Sequence, residues 1–83
     1  MKKDKYEKTT NLNLATFLYA NSQQIAGINE LSNGQKEFAF VITDRLEELI
    51  NTYKFPELED EDLLIDVHKY EYARRYLLDR INE

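Results

Sequence analysis

The side chains with chemical potential are few. His68 is the only histidine, and the chain has no cysteine and only two glycines. General acid–base or nucleophilic catalysis needs a positioned base, a nucleophile and a pocket, and a phosphate cradle needs a glycine-rich loop. Asp66 stands two residues before His68, where a helix start is expected, so a solvated surface residue is the reading for this histidine. No catalytic residue, metal site or cofactor is expected. The acidic run Glu57-Leu58-Glu59-Asp60-Glu61-Asp62 lacks the glycine turn and ligand spacing of an EF-hand loop.

Binding chemistry is better represented. Carboxylates along Glu59, Asp60, Glu61 and Asp62 suit docking onto a basic partner. Their ordinary alternative is a solvated connection. Tyr72, Arg75 and Tyr76, with Lys69, fall on one side of a C-terminal helix, and tyrosine beside arginine is a common interface pairing. The segment Lys36-Glu37-Phe38-Ala39-Phe40-Val41-Ile42-Thr43 parallels the RNP1 strand of RNA-recognition motifs, in which two aromatics stack on bases. It departs where Glu37 replaces glycine and Thr43 replaces an aromatic. Alternating aromatics in a strand are more often packing, and Phe38 and Phe40 are expected in a core.

The elements that must position these residues follow from local pattern. Thr10 or Asn11 can cap a helix over about 12–22, with Leu14, Phe17 and Leu18 on one face. Two runs, 24–31 and 36–43, flank Asn33-Gly34, which predicts a β-hairpin with a two-residue type I′ turn. In that register Gly27 opposes Phe40 and Asn29 opposes Phe38. One face carries Phe38, Phe40 and Ile42, and the other carries Ile28 and Val41. Asp44, with Glu47 three residues on, predicts the start of a helix whose Leu46, Leu49, Ile50 and Tyr53 form a core stripe. Phe55-Pro56 stops it. Leu63-Leu64-Ile65 is either a short third strand or a buried connection. Asp66 caps a last helix, with Val67, Tyr70, Ala73, Leu77 and Ile81 toward the core.

These elements make a small single-domain α+β fold in the order helix, β-hairpin, helix, optional short strand, helix. Residues 1–9 read as a flexible basic tail and residues 10–83 as the domain. The 83 residues carry a net charge of −5, which argues against coating a phosphate backbone. A chain this short buries roughly 60–65% of its unfolded surface, so stability is marginal. Without disulfides or metal, self-association is the expected reinforcement: a homodimer formed through a sheet edge or the Ile28/Val41 face. No apolar run is long enough to span a bilayer or to follow the basic N-terminus as a signal core, and the cytoplasm is the expected compartment.

The combination of Asn11-Leu12-Asn13-Leu14-Ala15 through Leu18, the hairpin ending Phe38-Ala39-Phe40-Val41, the run Asp44-Arg45-Leu46-Glu47-Glu48-Leu49-Ile50 to Tyr53, and a Tyr- and Arg-bearing last helix resembles a family of short uncharacterised proteins of phages, mobile elements and bacteria, a domain of unknown function. The match covers about residues 9–82. It implies a small α+β accessory protein and carries no catalytic residues. The expected function is a non-catalytic module that binds and modulates a host protein. The alternative is a nucleic-acid module using Phe38, Phe40 and the basic tail and last helix, and an enzyme comes third.

Overall fold

The computed structural model describes residues 5–55 and 66–82. Six elements follow in order: β1 (Tyr6–Thr9), α1 (Leu12–Ala20), β2 (Ile25–Glu30), β3 (Lys36–Val41), α2 (Asp44–Lys54) and α3 (Val67–Ile81). The three strands form one antiparallel sheet in the order β1-β3-β2. The α+β class expected from the sequence holds, and the described elements form one small domain.

α1 is the central helix and packs against α2, α3 and β1. Leu14, Ala15, Thr16, Phe17, Leu18 and Ala20 are all buried, so it is apolar nearly all round. Thr16 survives there because its hydroxyl donates to the Leu12 carbonyl at 2.7 Å. Asn11 caps the start, accepting from the Leu14 amide at 3.1 Å. At the other end the Ser22 amide donates to Tyr19 O and the Gln23 amide to Leu18 O, a Schellman pair. Glycine usually takes the left-handed position of that motif, but here Ser22 does, with φ of 68°.

The hairpin forms where Asn33-Gly34 predicts it, but its turn differs. The Gly34 amide donates to Leu31 O at 2.9 Å and the Leu31 amide to Gln35 O at 2.8 Å. Gly34 alone has positive φ, 87°, whereas a type I′ turn needs it at both central residues. The loop is therefore the three-residue kind with a glycine bulge, and the Asn33 side chain accepts from the Gln35 amide. That added residue moves the register by one. Ile28 now opposes Phe38 and Gly27 opposes Ala39, while a bulge at Ala26 sets Ile25 opposite Phe40.

A shift of one residue flips a strand between faces. Ile28 consequently packs against the core with Phe38 and Phe40. Val41 lies on the opposite face, across from Tyr6. The Ile28/Val41 dimer face expected from the sequence is thus not one surface.

The tail is the second correction. Tyr6–Thr9 pairs with β3 as an edge strand, supplying a third strand from the N-terminus. Two paired strands are marginal alone, and the open side of β3 offered the partner. Residues 63–65, the strand candidate of the sequence, lie outside the described residues.

One cap also differs in detail. Thr43, not Asp44, caps α2 and accepts from the Leu46 amide at 3.0 Å, leaving Asp44 in the first turn. Asp66 caps α3 as expected, accepting from the His68 and Lys69 amides. On α3, Ala73 and Leu77 are buried, but Val67, expected toward the core, is 65% exposed.

A candidate partner-binding surface on the last helix

α3 needs only a narrow stripe to hold it. Ala73 and Leu77 are buried, and Tyr70, Tyr76, Arg80 and Ile81 are half-buried beside them. Arg74 ties the helix to α1 by donating to Asn13 Oδ1 at 3.2 Å. The remaining face points away from the molecule.

Tyr72 stands on that face, 69% exposed. Helical spacing puts His68 and Arg75 on the same side, one turn to either end. Tyr72 divides two hollows. One, of about 230 Å³, is lined by His68, Glu71, Tyr72 and Arg75. The other, of about 350 Å³, lies between α3 and the end of α1, where Lys69 and Tyr72 face Tyr19, Ser22 and Gln23. An aromatic ridge flanked by cations and hollows has the features of an interface anchor: a large apolar area held on few rotatable bonds.

Tyr76 takes a different part from the one expected. Its ring stacks on Tyr19, with centroids 4.8 Å apart and planes within 2°. Arg80 lies over the same ring and donates to its hydroxyl at 2.7 Å. Tyr76 is a half-buried strut that fixes α3 against α1, so Tyr72 and Arg75 remain as the outward residues. Burial chiefly, then the neighbouring Tyr76, raises the Tyr19 phenol above its usual value of 10.0. Sequence reading missed Tyr19 altogether. Nothing local links residue 19 to residue 76; only the packing of α1 on α3 does.

Glu59, Asp60, Glu61 and Asp62 lie outside the described residues. Phe38 and Phe40 are 1% and 0% exposed, deep in the core with Leu18, Leu46 and Leu77. Neither ring is available to stack on a base. Among the described residues no three His, Cys, Asp or Glu side chains gather closely enough to hold a metal ion, and no helix is long and apolar enough to cross a membrane.

A further concavity, of about 310 Å³, runs between β1 and α2. Ile42, Leu46 and Ile50 contribute its apolar walls, Glu7 and Glu47 its carboxylates, and Phe55, 70% exposed, one end.

A family model described as a domain of unknown function (DUF5659) matches residues 4–77. No curated protein matches the chain. No solved structure matches it either.

Proposed function

We propose that this chain, which belongs to the DUF5659 family, is a non-catalytic module that binds and modulates another protein through the outward face of α3. The observation that carries this reading is the exposed Tyr72 ring between two hollows, with His68, Lys69 and Arg75 around it. The helix beneath is held by buried Ala73 and Leu77 and by the Tyr19–Tyr76 stack, so the anchor is presented on a rigid support at little entropic cost. The carboxylates Glu59, Asp60, Glu61 and Asp62 precede this helix in sequence and serve as a second contact for a basic patch. An accessory role in a phage or mobile element follows the resemblance of the sequence, and the cytoplasm is the compartment in which we propose that it acts.

The nucleic-acid reading is weaker, because its stacking residues Phe38 and Phe40 are core residues. Glu71 also sits among the α3 cations and opposes a phosphate backbone there.

The test is affinity capture of the tagged protein from lysate, with and without nuclease, using the parent chain and Tyr72→Ala. A protein captured by the parent, resistant to nuclease and reduced at least about tenfold by Tyr72→Ala, is the expected result, since anchor truncations commonly cost 2 kcal/mol or more. Capture that depends on nucleic acid, or that ignores Tyr72, refutes the reading.

A further inference from the structure

The sheet has two edges, and they are built differently. β2 carries the bulge at Ala26, a common device that bends an edge away from further pairing. β1 is regular, and its outer side is open among the described residues.

The ladder reveals which β1 groups face that open side. The Ile42 amide donates to Lys5 O, and the Val41 amide donates to Gln24 O on the β2 side. Hydrogen-bonded and non-bonded pairs alternate along an antiparallel ladder. Lys5, Glu7 and Thr9 therefore direct their backbone groups at β3. Tyr6 and Lys8 direct theirs outward, offering two N–H and two C=O groups to another strand.

We infer that a second copy of this chain pairs there, β1 to β1 and antiparallel, with Tyr6 opposite Tyr6 across a twofold axis and Lys5 opposite Glu7 on each side of it. Keeping both core faces on one side and matching outward groups allows only three centred registers. Centring on Glu7 sets Glu7 against Glu7. Centring on Lys8 sets Lys8 against Lys8. Directly opposed like charges destabilise a strand pair, whereas opposite charges stabilise it. Only the Tyr6-centred register opposes Lys5 to Glu7, and by symmetry it does so twice.

Glu7 shares the concavity beside α2 with the carboxylate Glu47 and the cation Lys54, so the register rests on the strand charges themselves. Tyr6 is 43% exposed on the other face, next to Val41, and two such rings meet at the axis. The product is a continuous six-stranded sheet, β2-β3-β1-β1-β3-β2, with only the bulged β2 strands at its edges. This inference goes beyond the α3 reading and uses none of its residues.

Single cysteines test it cleanly, because the chain has none of its own. A hydrogen-bonded pair holds its Cα atoms about 5.5 Å apart, within disulfide range. Tyr6→Cys should give a disulfide-linked dimer on mild oxidation. Lys8→Cys should not, since its two copies lie about 13 Å apart along the strands. Sedimentation of the parent should show a dimer at tens of micromolar. Lys5→Glu should raise its dissociation constant about tenfold, because two opposite-charge pairs become like-charge pairs. Lys5→Glu with Glu7→Lys should bring it back. A monomeric parent, cross-linking at position 8 in place of 6, or a swap that fails to restore association would overturn the proposal. Circular dichroism of each variant separates lost pairing from lost fold, and Tyr72→Ala should leave the dimer unchanged.

Discussion

α1 and α3 lie against each other in one helix layer, yet they answer to different demands. α1 is nine residues long, and six of them are buried. α3 is fifteen residues long, and only Ala73 and Leu77 are fully enclosed. The central helix is surrounded by β1, α2 and α3, so almost every side chain it carries must be apolar or satisfied internally. The flanking helix touches the rest along one stripe. Its other face is released from packing and can hold tyrosine, histidine, lysine and arginine for another purpose. In a chain this small, surface available for binding is what the core does not need.

Substitution on the two helices should separate these roles most sharply. Leu18→Ala removes a side chain that is 1% exposed and should cost about 2–5 kcal/mol in urea unfolding. Tyr72→Ala should shift stability by less than about 0.5 kcal/mol in the same assay while lowering partner capture. A stability loss at Tyr72 comparable to that at Leu18 would mean that α3 has no spare face.

A smaller effect of opposite sign is expected where α1 ends beside α3. Ser22 holds a left-handed conformation that glycine adopts without steric cost. Ser22→Gly should stabilise by about 0.5 kcal/mol, the relief of strain being partly offset by the freer unfolded chain. A decrease in the urea midpoint would show that the Ser22 side chain contributes more than its backbone costs.

The smallest effect lies in the contact between the helices. The Tyr19 phenol is raised by burial and by Tyr76, so the folded chain keeps its proton at a pH where the unfolded chain loses it. That contribution is fully present below pH 10.0 and declines as pH rises through the higher folded value. Ultraviolet titration should show a late step above pH 10.0 that Tyr19→Phe removes, and Tyr76→Phe should bring that step earlier. An unchanged late step in Tyr76→Phe would assign the whole effect to burial.

The sequence was most readable where neighbours in the chain determine the outcome. Leu46, Leu49, Ile50 and Tyr53 recur at the helical period, and all four reach the core. Asp66 and Asn11 cap helices because each oxygen needs only an amide two or three residues on. The outward position of Tyr72 followed from the same period. Tyr76, four residues later, did not, because its fate depends on where Tyr19 sits. Val67 failed for a related reason: apolar type alone does not carry a first-turn residue to the core.

By itself, then, the sequence determined the class of fold, the three helices, the existence of a hairpin and the residues able to fill a core. All of these rest on period, capping and turn chemistry over short spans. Only the tertiary structure decided the third strand, the register and the composition of the surface. β1 joins β3 through backbone bonds between strands whose paired residues lie 29 to 35 positions apart, and such bonds leave no mark on side-chain pattern. The register turned on whether Asn33 shares the positive φ of Gly34, a choice between two turns that the same dipeptide can enter. That single residue of difference placed Ile28 with Phe38 in the core and left Val41 beside Tyr6 on the other face, because side chains alternate at every step along a strand.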